Sequence, residues 1–230
     1  MKVLSYLILC YVMVFVFANW FDGRLIAIGS VVSDAGTIIF PITFILANVI
    51  TEVYGYKHTR RAIWLGFIFN LVFVLYAQVI IHFPSPSFAQ AQNHVFDQMM
   101  QINGRIFIAS IISYLCCEPL NAMIMARLKI ICKGKKMALR FVSSTFIAAF
   151  FDSALFSSIA FFPMFNGQAS KLLLLILSMW VIKVSIEILL LPCSLYLAQK
   201  LKKVEHLDQY DYGTNFSILR WDVDYPGNNS

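Results

Sequence analysis

The sequence predicts an all-α integral membrane protein of six transmembrane helices. Three observations carry that prediction. Apolar runs of about 20 residues, the length that crosses a hydrocarbon core, recur along the 230-residue chain. Hydrophobic residues make up 60% of it and charged residues only 13%, too few to cover a soluble domain of this size. Finally, the Lys and Arg residues gather in short segments that alternate with the apolar runs.

The first span is expected over residues 3–18. Leu9 is too large to precede a lipoprotein-type Cys10, and the apolar run continues past it, so this segment reads as a retained helix and not a removed signal. Residues 19–36 break the pattern. Asp22-Gly23, Gly29-Ser30 and Ser33-Asp34-Ala35-Gly36 are turn signals, with β-branched pieces between them. A short irregular, hairpin or re-entrant segment fits there better than a span. The second span covers residues 37–53, with Pro41 tolerated in its first turns. The third covers residues 61–81 and is stopped by His82-Phe83-Pro84-Ser85-Pro86.

Residues 88–103 are polar and mixed, and predict a short helix lying on the outer surface. The fourth span follows over 104–126, the fifth over 138–162 before a turn at 163–167, and the sixth over 169–201, where Pro192 is expected to kink the lower half. The chain therefore divides into a six-helix transmembrane domain, residues 1–203, and a polar cytoplasmic tail, residues 204–230. Tyr210-Asp211-Tyr212-Gly213-Thr214-Asn215-Phe216 is the most distinctive stretch of that tail.

Charge sets the orientation. One side holds Lys57, Arg60 and Arg61, then Arg127, Lys129, Lys133, Lys135, Lys136 and Arg140, then Lys200, Lys202, Lys203 and Arg220. The other side holds Arg24, Arg105 and Lys171. By the positive-inside rule both termini face the cytoplasm, and the net charge of +6 needs no nucleic-acid partner. The five cysteines form no C-x-x-C or His/Cys cluster and read as small buried apolar residues, so no metal site is expected. The four histidines, His58, His82, His94 and His206, are placed in loops or the tail. H-E-x-x-H and G-x-S-x-G are absent, which argues against an enzyme, and no cofactor is implied.

Five ionisable residues remain inside the spans: Glu52, Glu118, Asp152, Lys183 and Glu187. Charges there are expensive and mark substrate or ion paths, so a transporter is favoured over a ligand-free assembly subunit. Glu118 and Asn121 lie three apart on one helix face, beside the ladder break at Pro119. Asn48 and Glu52 lie four apart on another. Glu52 is as well suited to a salt bridge with Lys57, Arg60 or Arg61 as to a ligand. Lys183 and Glu187, also four apart, either pair with each other or leave Lys183 for Glu118 or Asp152 across the bundle. Four carboxylates and one lysine favour a cation or a donor-rich neutral ring. A carboxylate with an amide suits a guanine-like edge, and Tyr114, Trp64 or Trp180 could stack on a flat ring.

Ordered motifs along nearly the whole chain resemble the queuosine precursor transporters, a group of vitamin-uptake-like membrane proteins. They are Pro41-Ile42-Thr43-Phe44-Ile45-Leu46-Ala47-Asn48 with Glu52, Arg60-Arg61-Ala62-Ile63-Trp64, Ser113-Tyr114 with Glu118 and Asn121, Phe151-Asp152-Ser153, Lys183, Glu187, Pro192 and the 210–216 motif. The resemblance implies a six-helix bundle like the substrate-binding subunits of energy-coupling-factor importers. It also implies import of 7-cyano- or 7-aminomethyl-7-deazaguanine through a bacterial cytoplasmic (inner) membrane. Asn48, Glu52, Tyr114, Glu118, Asn121, Asp152, Lys183 and Glu187 are the candidate binding residues. Ala148-Ala149 stand where the family pattern usually shows Gly-Gln. Another small heterocycle or vitamin is the alternative cargo. With no nucleotide-binding loop in the chain, any coupling to ATP would come from a separate energising partner.

Overall fold

In the computed structural model, residues 1–29, 31–165 and 168–225 are described. The chain runs α1 (Leu4–Phe21), a hairpin of β1 (Leu25–Ile28) and β2 (Val31–Asp34), α2 (Gly36–Ile39), α3 (Pro41–Tyr54), α4 (Tyr56–Ile80), α5 (Gln90–Ile131), α6 (Met137–Phe161) and α7 (Ala169–Glu205). Among the described residues six helical stretches are long and apolar enough to span a membrane, with α2 and α3 together making the second. Large apolar side chains such as Leu9, Phe17, Phe69, Leu75, Leu174 and Leu189 are exposed on their outer faces. That inside-out distribution identifies a multi-pass membrane protein.

The hairpin forms where the turn signals place it, antiparallel with Leu25 opposite Asp34 and Ala27 opposite Val32. Ser178 of α7 donates to the Val32 carbonyl at 2.6 Å and ties the hairpin to the bundle. Ser30, in its turn, lies outside the described residues, as do Asn166 and Gly167 of the turn before α7.

Four boundaries correct the expectations. The second span is not continuous: α2 stops at Ile39 and α3 restarts at Pro41, because proline lacks the N–H that would continue the ladder. The third span starts at Tyr56, five residues early. Gly55 alone, at φ +87°, turns the chain between α3 and α4. The surface helix and the fourth span are one helix, α5, of 42 residues. No proline interrupts it before Pro119, and a lone Gly104 costs only about 1 kcal/mol. At about 1.5 Å per residue α5 is roughly 63 Å long, about twice a hydrocarbon core. Lastly, α7 continues through Pro192 to Glu205.

Two residue-class expectations are also corrected. His58 is buried within α4 and His94 lies within α5, not in loops. Of the cysteines only Cys117 is buried; Cys10, Cys116 and Cys193 are exposed on the bundle exterior.

α3 is the axis of the bundle. It packs against α1, α4, α5 and α7, and all of its residues except Ile42 are buried. The N-terminus and the end of α7 meet at one end of the bundle, where Glu205 accepts the N–H groups of Lys2 at 2.9 Å and Val3 at 2.6 Å. This is the basic end; the hairpin marks the other.

Candidate functional site: a polar column along the bundle axis

Polar side chains from α3, α5, α6 and α7 make three linked groups along the axis. At the basic end, Glu52 is fully buried and receives Arg140 through two bonds, 2.5 and 3.1 Å, and Lys202 at 2.5 Å. Lys129 stands 3.9 Å away and also donates to the Glu52 main-chain oxygen and to Asp208. One carboxylate thus holds cations from three helices. The expected partners Lys57, Arg60 and Arg61 are not among them, because the Gly55 turn carries α4 away from the Glu52 carboxylate. Arg60 instead donates to the Asn215, Ser217 and Asp222 carbonyls.

In the middle, Asn48 is the hub. Its amide nitrogen donates to Thr145 at 3.1 Å and Glu187 at 3.3 Å. Its oxygen accepts from Asn121 at 3.1 Å and Ser144 at 3.2 Å. One turn from Asn121, Glu118 accepts from Thr43 at 2.6 Å. All of these side chains are fully buried, yet Glu118 Oε2, Glu187 Oε2, Asn121 Oδ1 and Ser153 Oγ have no partner among the described residues. Leaving such a group unpaired costs roughly 1–3 kcal/mol, more when it is charged.

Toward the hairpin, Lys183 donates to Asp152 at 2.5 Å and lies 4.8 Å from the centre of the Phe40 ring. Lys183 therefore does not pair with Glu187. Helical spacing puts those two on one face, but α6 supplies the partner from across the bundle. Asp22, Asp34, Thr37, Ser110 and Ser113 line the same cavity as this pair. Burial, then the adjacent Asp34 charge, pushes the Asp22 carboxyl well above the usual range. Burial raises Asp34 as well, against the pull of Lys183 and Thr37.

Of the eight candidates, Asn48, Glu118, Asn121 and Glu187 converge in the middle group, and Asp152 and Lys183 in the next. Glu52 sits in an ion cluster at the basic end. Tyr114 is packed in the apolar core: it stacks on Phe15 at 3.8 Å, accepts from Tyr11 and donates to the Ile63 carbonyl. Trp64 stacks on Trp221, and Trp180 packs on Phe146 and Phe150. Ala148 and Ala149 are buried in the apolar core. Sequence reasoning missed Asp22, Asp34 and Thr37. The signal was present, since Asp-x-x-Thr ahead of a helix is a capping pattern, and Asp34 does receive the Thr37 N–H at 2.6 Å.

Comparison with known proteins agrees with this architecture. The family model described as "Putative vitamin uptake transporter" matches residues 34–197, from the end of β2 into α7. A protein of Bacillus subtilis (strain 168) named "Probable queuosine precursor transporter" is 23% identical over 167 residues, 72% of this chain and 71% of that one. No solved structure matches the chain. The family match takes in all three polar groups except Asp22, Lys202 and Asp208. These relatives are transporters and not enzymes. The chain belongs to the vitamin uptake transporter family.

Proposed function

We propose that this protein imports queuosine precursors, 7-cyano- or 7-aminomethyl-7-deazaguanine, through a bacterial cytoplasmic membrane with both termini inside. The observation that carries the reading is the set of unpaired acceptors in the middle group: Glu118 Oε2, Glu187 Oε2 and Asn121 Oδ1. Acceptors without donors suit a ligand rich in N–H groups. A 7-deazaguanine has a ring N–H and an amino group side by side on one edge, and a pyrrole N–H on the other. Asn48, bonded to both Asn121 and Glu187, holds two of those acceptors in register. Asp152 and Lys183 lie one turn further along and would meet the 7-substituent. In this reading Glu52 latches the basic end and Tyr114 supports the site from the core.

The test is rescue of a bacterium that neither makes 7-deazaguanines nor carries its own importer. Each precursor is supplied at low concentration and queuosine is read in tRNA. At least one precursor is expected to restore it. Glu118→Gln and Asp152→Asn are each expected to cut uptake at least about tenfold, the loss of one charge-assisted hydrogen bond. No rescue, with the protein shown in the membrane, would reject the cargo. Normal uptake in both variants would remove these residues from the site.

A further inference from the structure

At the hairpin end three carboxyl groups, Asp22, Asp34 and Asp152, share a small cavity with one ammonium group, Lys183. Lys183 is engaged by Asp152 at 2.5 Å. The Asp34 oxygens are engaged by Thr37, Oδ1 with its N–H at 2.6 Å and Oδ2 with its hydroxyl at 2.8 Å. Asp22 differs from both. It is 6% exposed, and it lines the cavity together with the Asp34 carboxyl. Two carboxyl groups that share so small a cavity repel when both are charged, which favours a proton on one of them. Asp34 already accepts twice from Thr37, so the proton belongs on Asp22.

The backbone keeps Asp22 in place. α2 passes so close that a Cβ on Gly36 would collide with the Asp22 carboxyl. The charged groups facing Asp22 are Asp34 from β2, Lys183 from α7 and Asp152 from α6. α5 contributes only the hydroxyls of Ser110 and Ser113 to the cavity, and α2 contributes Thr37. Among the described residues no group of three or more His, Cys, Asp or Glu side chains is arranged to hold a metal ion.

We propose that Asp22 and Asp34 form a proton-binding site, coupled through the shared cavity to the Lys183–Asp152 ion pair. On loading, an O–H bond forms on Asp22 and is donated to Asp34. On discharge that O–H bond breaks, the proton passes to water, and Asp22 becomes a third carboxylate beside Lys183, after Asp152 and Asp34. It then competes with Asp152 for the ammonium group, so proton occupancy at the hairpin sets how firmly α6 and α7 are clasped beside the middle group. The raised Asp22 carboxyl agrees with this geometry. The site does not depend on which solute crosses.

The experiment is an infrared pH titration of the purified full-length protein in lipid nanodiscs with no solute added. The C=O stretch of a protonated carboxyl is expected to persist through neutral pH. Part of it should be lost in Asp22→Asn, and that part should be kept in Glu118→Gln and Glu187→Gln. In Asp34→Asn its midpoint should move to lower pH, because the like charge is gone. Absence of the band at neutral pH in the unmodified protein would overturn the proposal, as would a band that Asp22→Asn leaves undiminished. If Asp22→Asn fails to assemble, an unmoved midpoint in Asp34→Asn would overturn it instead. With no solute present, the outcome is separate from that of the rescue experiment.

Discussion

Lys183 shows how far helical spacing reaches and where it stops. Its four-residue offset from Glu187 placed the two on one face, as the structure has it. Which acceptor the ammonium takes is settled by the neighbouring helix, and α6 presents Asp152 within 2.5 Å. Glu52 makes the same point: the nearest cations in sequence go elsewhere, while Arg140 and Lys202 arrive from 88 and 150 residues away. For the buried Lys183–Asp152 pair, removing one partner leaves a charge uncompensated, whereas removing both does not. Lys183→Met alone is therefore expected to destabilise the protein by about 3–5 kcal/mol, and Lys183→Met with Asp152→Leu by clearly less. Thermal melts in detergent decide this, and the reverse order would defeat the ion-pair assignment.

Among the elements, the segment after α7 is the one whose role was least legible. The 210–216 motif stood out in the sequence without a function. In the structure it folds over the basic end. Asp211 accepts the Tyr56 N–H and the Tyr225 hydroxyl, Lys129 grips Asp208 and the Gln209 carbonyl, and Trp64 donates to the Ile218 carbonyl. Many of these bonds end on main-chain oxygens, which leave no mark in a sequence pattern. Gly55 is the hinge of the arrangement: it lies at φ +87°, and a Cβ there would strike the Tyr225 hydroxyl. Gly55→Ala is expected to cost about 1–3 kcal/mol from the backbone alone and to undock the segment. Limited proteolysis should then cut within residues 206–225 at an early time point. Unchanged protection would show that the segment is held independently of the turn.

For the molecule as a whole, the number of spans and the hairpin were legible, because they follow from composition and turn signals. The polar column was legible only in parts, because it is assembled from helices far apart in sequence. Its hairpin end gives the whole molecule a pH signature. An unfolded Asp22 ionises above about 3.9, while the folded carboxyl keeps its proton to a much higher pH. The folded state then binds more protons, so stability falls as pH rises from about 3.9 toward the raised folded value, and levels off beyond it. Asp22→Asn should lack that slope: equal to the unmodified protein in acid and more stable at neutral pH. Melting curves across pH that stay parallel would contradict this.

The acid limb has the opposite sign. Lys57 and Arg60 hold Asp222 below the usual carboxylate range. Against the desolvation of partial burial, Lys129 and Lys202 do the same for Asp208. Their contribution is complete above the ordinary carboxylate value and is lost as pH falls through the lowered one.

Because the basic end is closed by residues that follow α7, it is closed only after all six spans have been made. When α7 has just entered the bilayer, residues 206–225 are still passing through the ribosome, and Arg60 and Trp64 face water. The newborn bundle therefore passes through an interval in which its basic end is open and its cations are available to anionic lipid headgroups. Quality-control proteases that sample this interval would judge the protein by residues 206–225, after the membrane spans are in place.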